Sequence, residues 1–266
     1  MKVRILTVLV VLAVLVSSIT ACTGTDSFLI KVMKLAPEGV GYITCADIEA
    51  MAEDPDLEDW HNDWIVELSY YAISCIETTD VSAFAGFEID WAYVFVFMGS
   101  FDLEDIRDAL EEEYFVEGEC SGVEIWTGGF DEAIAFIDNM VVYGDAYAVE
   151  ACIRTHKNEE PSLYDNEDMK AVADKLPSGV FSGIFGPDYI YSDEGLAGGM
   201  CLINLTRGDE VCDMNSWYKF DSKASAEDAI EDVEEDLSWT WGATNIETRL
   251  SGQFIEITAE VEISEY

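Results

Sequence analysis

The chain is 266 residues long and half apolar, with seven Trp and thirteen Phe, enough to bury one large core or two small ones and too aromatic for a disordered chain. Its 13 basic and 55 acidic residues give a formal charge of −42, which excludes nucleic acid as a partner because phosphate binding is driven by Lys and Arg displacing counterions. The same charge repels an anionic membrane surface and describes a solvated, self-repelling exterior; no D-x-[DN]-x-[DN]-G loop turns the acidity into a calcium signal.

Met1-Lys2-Val3-Arg4 is a basic start, and Ile5 to Val16 is an unbroken apolar run of twelve residues. Such a run is too short to span a bilayer and has the form of a cleaved leader. Ile19-Thr20-Ala21-Cys22 follows and resembles the bacterial lipobox, an aliphatic residue and two small ones before a cysteine. The resemblance implies a bacterial lipoprotein, cleaved after Ala21, with a diacylglycerol thioether on the Cys22 sulfur and a further acyl chain such as palmitate on its amine. Two or three chains anchor a protein stably where one does not. Residues 1–21 are then a signal peptide and residues 22–33 a tether, and loss of Lys2 and Arg4 leaves 11 − 55 = −44 on the body. The expected address is extracytoplasmic, on the cell membrane through the lipid.

Pro37-Glu38-Gly39-Val40 leads into a strand from Val40 to Thr44, and Pro177-Ser178-Gly179-Val180 leads into another from Val180 to Phe185. A second pair of landmarks repeats the relation: Glu104 to Glu112 reads EDIRDALEE and Glu227 to Glu235 reads EDAIEDVEE, each behind a helix-start signal, Asp102-x-x-Asp105 and Ser225-x-x-Asp228. The landmarks lie 140 and 123 residues apart, so the first copy carries 140 − 123 = 17 extra residues. A helix opening at Asp54-Pro55, with Leu57, Trp60, Trp64, Leu68, Tyr71 and Cys75 at spacings of three and four, accounts for most of them. The second copy has instead Gly186 to Gly199, expected as a loop.

Strands are expected at Val81 to Ile89 and Trp91 to Met98, the latter apolar enough to be covered on both faces. A hairpin turns at Ser121-Gly122, and Ala133 to Ile137 and Met140 to Tyr143 pair about Asp138-Asn139. Helices run from Asp145 to about His156 and from Ser162 to near Leu176; strands follow at Met200 to Leu205, Val211 to Phe220 and Gln253 to Ile263. The last alternates Ile255, Ile257, Ala259, Val261 and Ile263 against acids and Thr, so it has one buried face. The expected fold is α+β, a duplicated unit of antiparallel sheet with helices packed on one side, residues 34–174 and 175–266 forming one continuous domain.

Gly144-Asp145, Ala148-Val149, Ser162-Leu163, Asn166, Met169-Lys170 and Leu176-Pro177, with Pro37-x-Gly ahead of them, are similar to a recurring segment in a group of bacterial surface proteins and lipoproteins known only as a domain of unknown function. The resemblance implies a duplicated fold over roughly residues 30–266. It implies no activity and no catalytic residue.

Setting Cys22 aside leaves Cys45, Cys75, Cys120, Cys152, Cys201 and Cys212, an even number that argues for three disulfides in an exported chain. Cys45 with Cys75 is a reasonable pair. Cys201 and Cys212 face each other only if their hairpin turns between Thr206 and Arg207, and Cys120 and Cys152 are the remainder. Metal is not expected, since Cys152 and His156 at i and i+4 have no second pair to complete four ligands. Catalytic signals are sparse: His61 is a surface position, Ser182 in GVFSG is out of register for a nucleophile elbow, and Arg207-Gly208-Asp209 reads as a turn.

Two features read as binding surfaces. Trp239 and Trp241, alternating on an expected strand, point the same way with Trp217 near in sequence, although such rings more often pack a core. Tyr189 and Tyr191 sit in the loop where the copies diverge. The expected function is a non-catalytic, membrane-anchored module for binding or envelope interaction, without cofactor, whose partner is a protein or small molecule of unspecified kind. The alternatives are a carrier of an apolar ligand between sheet and helices, and an envelope hydrolase using paired carboxylates.

Overall fold

Runs of consecutive apolar residues decide this fold, because successive side chains of a strand point to opposite faces and so build one sheet with two buried faces. The computed structural model describes residues 26–71, 75–190, 194–203 and 211–262. In chain order the elements are α1 (Phe28–Leu35), β1 (Tyr42–Asp47), α2 (Ile48–Glu53), α3 (Glu58–Tyr71), β2 (Val81–Ile89), β3 (Ala92–Gly99), α4 (Leu103–Glu112), β4 (Val116–Cys120), β5 (Val123–Thr127), β6 (Glu132–Ile137) and β7 (Met140–Asp145). Then come α5 (Ala146–His156), α6 (Glu167–Ala173), β8 (Phe181–Phe185), β9 (Gly195–Ile203), β10 (Val211–Phe220), α7 (Lys223–Asp228), α8 (Ile230–Trp241), β11 (Thr244–Ser251) and β12 (Phe254–Glu262). The twelve strands form a single sheet in the order β11-β12-β10-β9-β8-β1-β2-β3-β7-β6-β5-β4. Every pairing is antiparallel.

Successive residues belong to different cores. On β7, Val141 packs with one cluster and Val142 with the other; on β3, Phe97 and Val96 divide the same way. The first cluster, on face A, gathers Met51, Leu57, Leu68, Ile106, Leu110, Val233 and Leu237 from α2, the turn before α3, α3, α4 and α8. The second, on face B, gathers Leu29, Val32, Val149, Cys152, Met169 and Val172 from α1, α5 and α6. The expectation of helices on one side is therefore corrected: strands with apolar residues at consecutive positions have two faces to bury, and each face needs its own helices.

Local signals explain most boundaries. Asp102 caps α4 by accepting from the amides of Glu104 at 3.0 Å and Asp105 at 3.4 Å. The helix expected behind Ser225 is capped instead by Ser222, which accepts from the amide of Ser225 at 3.1 Å, and it breaks at Ala229 into α7 and α8. The helix expected from Ser162 begins instead as a turn at Leu163–Asp165, because the Asn166 side chain accepts from the amides of Asp168 and Met169 and starts α6 there. Residues 28–33 are not tether. They are α1, with Leu29, Val32 and Met33 buried on face B. The glycines at 195–199 belong to β9 rather than to a loop. β3 is covered on both faces only toward its end, since Tyr93 is 56% exposed.

The disulfide framework is also corrected. All six cysteines of the body are free thiols. Cys45 belongs to face B while Cys75 packs against face A. Asp213 pairs with Ile203 and Asn215 with Cys201, a register that puts Cys201 and Cys212 on opposite faces. Burial pushes these thiols up, Cys212 and Cys75 to about 11 and Cys201 to about 12, with Cys45 and Cys152 higher still. Alkylation of the folded protein at pH 8 should therefore spare Cys45, Cys152, Cys201 and Cys212, whereas unfolding without reductant should label six body cysteines by mass. Fewer than six would mean that disulfides form.

Candidate functional site

Three rows of side chains cross face A in register. The lowest, Leu202, Phe181, Ala46, Phe84, Phe97, Val141 and Phe136, runs over seven neighbouring strands. It is capped by aromatic rings: Trp60 lies 6.5 Å from Phe181, Trp64 lies 6.1 Å from Phe84, and Trp241 lies 6.1 Å from Phe181. The middle row is Met200, Gly183, Thr44, Gly86, Phe95 and Tyr143. There the cover thins from β1 onward: Met200 and Gly183 are still buried, whereas Gly86, Phe95 and Tyr143 are half-buried. Thr44 is exposed although β1 is the sixth of twelve strands, with pairing on both sides.

The opening follows from the two glycines beside Thr44. Neither has a positive φ. A Cβ on Gly86 would meet nothing closer than the Phe95 ring at 3.8 Å, and one on Gly183 nothing closer than the Ile43 carbonyl oxygen at 3.5 Å. Packing and backbone therefore do not require glycine at either place. In a strand such a residue weakens the sheet and marks a spot where something else approaches the backbone. Gly41 differs, because a Cβ there would come within 2.9 Å of the Tyr189 ring that leans over it.

Aromatic rings wall this floor. Tyr42 meets Tyr189 edge-on at 5.1 Å, and Tyr42 pairs with Phe185 across the β1–β8 ladder. On the other side Phe95 stacks with Tyr93 at 6.3 Å, with Tyr143 at 6.4 Å and with Phe84 at 5.8 Å. Acids stand along the third row: Glu88 is paired with Tyr93, and Asp145 with Glu132. Tyr143 donates to Glu132 at 2.9 Å. Burial and the neighbouring Glu88 carboxylate push the Tyr42 hydroxyl up to about 12, and burial with the Glu132 bond does the same for Tyr143. Both phenols are neutral donors at physiological pH, beside carboxylates that accept.

The residues expected in two binding features lie in different parts of the fold. Tyr189 joins the trough from the turn Pro187–Tyr189, half exposed. Tyr191 lies outside the described residues, as do Cys22, the leader and Arg207-Gly208-Asp209. Trp217 is on face B, with Lys175 Nζ 4.4 Å above its ring and Phe254 edge-on at 6.4 Å. Trp239 and Trp241 close α8 rather than forming a strand, and Gly242 ends that helix in the left-handed region at φ 59°. Two helical positions differ by about 200° in direction, so Trp241 packs into the core while Trp239 is 88% exposed. Reading the sequence missed Thr44, Gly86 and Gly183. Its available signal was glycine in the middle of two otherwise strong strands, FAGFEI and FSGIF.

Other concavities open elsewhere on the surface. A hollow of about 310 Å³ between α1 and the start of β8 is lined by Phe28, Leu29, Met98 and Leu176, but also by Asp26, Lys31 and Ser182. On α8, Asp232, Glu235 and Asp236 share a surface concavity, and burial raises the Asp236 carboxyl. Among the described residues no group of three His, Cys, Asp or Glu side chains is placed to hold a metal, and no helix is long and apolar enough to cross a membrane.

No protein-family model matches the chain. Over 200 residues it is 26% identical to the uncharacterized protein MJ0635 of Methanocaldococcus jannaschii, a match spanning 70% of this chain and 67% of that one. Among solved structures it is similar to crystal form I of TP0453, with a TM-score of 0.50 at 7% identity over 90% of this chain and 94% of the other. Crystal form III of the same protein gives 0.48, also at 7% identity, over 91% and 96%. At such identity the first likeness speaks to the fold alone.

Proposed function

We propose that this chain is a lipid-anchored extracytoplasmic module without catalysis, built by duplication, that presents the face A trough to a ligand. The observation carrying the binding reading is Thr44, exposed at the centre of a sheet between glycines that packing does not demand. An exposed floor walled by aromatic rings on a rigid scaffold is a binding arrangement, and the lipobox-like segment at Cys22 supports the anchor.

Duplication is supported by the order of elements. In each half a helix on face B, α1 or α6, precedes the first strand, and a helix on face A, α4 or α8, precedes the last strands. The two first strands, β1 and β8, pair antiparallel at the join, as equivalent strands related by a two-fold would. The first half adds α2 and α3 between β1 and β2, and also the β6–β7 hairpin beside β3.

Gly86→Val tests the binding reading cleanly. Valine favours strands and its Cβ has room, so the melting temperature should hold or rise while the floor is filled. Wild type and variant, screened side by side against peptides and oligosaccharides, should differ at least tenfold toward one class. If no binder distinguishes them, the trough is not a binding face.

A further inference from the structure

From the segregation of charge we infer that the trough takes an extended, positively charged segment of another polypeptide, an inference that rests on the trough being a binding face. Of the ten described bases, eight lie on face B or its edge. Lys31 reaches Met98, Lys34 and Lys170 lie over Tyr164, and Lys175 lies over Trp217. Arg154 pairs with Glu160, Lys219 with Asp168 and Arg249 with Glu256. Lys157 ends α5 on the same side. The two on face A are bound away from the trough, Arg107 by Glu124 at 2.7 Å and Lys223 by Glu227 at 3.0 Å.

The trough itself has Glu88, Glu132 and Asp145 along one side and the rings of Tyr42, Tyr93 and Tyr189 around them. Electron-rich ring faces beside carboxylates, in a chain of net charge −42, attract ammonium and guanidinium groups and repel anions. Its floor crosses five strands from β8 to β7, about 19 Å at the usual strand spacing. That length accommodates roughly six residues of extended chain.

The test titrates a hexapeptide rich in Lys and Arg, and a neutral oligosaccharide, into wild type, Gly86→Val, Gly183→Val and Glu88→Gln. The expected result is peptide binding that weakens at least tenfold in either valine variant, about fivefold in Glu88→Gln, and further as salt is raised. The valine variants leave net charge unchanged, so diffuse attraction to an acidic surface would survive them. Peptide affinity that is absent, or equal in wild type and both valine variants, overturns the inference. Oligosaccharide binding that alone is lost in those variants keeps the binding face and refutes the cationic ligand. Loss of every difference between wild type and variants refutes both.

Discussion

Phe97→Ala is expected to cost about 3–5 kcal/mol of folding free energy, read as a shift in the urea midpoint without a change in slope. Phe97 is fully buried on β3, in the middle of the lowest row of face A. Its ring lies 5.4 Å from Phe84, and its backbone pairs with Phe84 on one side and Val141 on the other. Strands on both sides keep the surroundings from collapsing into the space left, so the cavity adds to the lost burial. Against a typical total of about 5–15 kcal/mol, this is a large fraction of the whole. Gly86→Val, only eleven positions earlier in sequence, should by contrast leave the midpoint in place or raise it. A midpoint unchanged in Phe97→Ala would mean that face A is not the packed core described.

Cys22→Ser is expected to move the protein from the membrane fraction to the soluble fraction almost completely. At about 0.8 kcal/mol per buried CH₂, two acyl chains dominate every other membrane attraction that a body of formal charge 11 − 55 = −44 can make. Intact mass of the wild-type protein extracted from membranes should show loss of residues 1–21 and added acyl mass. The serine variant should carry no acyl mass. Retention of the variant on membranes, or an unmodified cysteine in the wild type, would remove the lipid anchor from the functional reading. The trough would remain to be tested separately.

Much of the framework could be read from local pattern. β2 and β10 fall on their expected bounds, Val81–Ile89 and Val211–Phe220, because turns and apolar runs mark both ends. β12 shows its alternation directly, with Ile255, Ile257, Ala259 and Val261 buried on face A. β11 escaped notice because TNIETRLS has only two large apolar residues, Ile246 and Leu250, and buries none of its residues fully. The strand assigned to Trp239 and Trp241 failed for a related reason: two rings separated by one residue fit a strand, yet the neighbouring EDVEEDL continues a helix up to Gly242.

What the chain determines by itself is therefore its acidity, which is a matter of composition, and the position of nearly every strand, which depends on neighbours in sequence. Tertiary structure alone decided the rest. Whether two cysteines meet depends on strand register, and a shift of one residue sends a side chain to the other face. Whether helices lie on one side or both depends on how many consecutive apolar positions a strand must bury. The trough depends on both: Thr44, Gly86 and Gly183 are far apart along the chain and become one floor only when β1, β2 and β8 align in register.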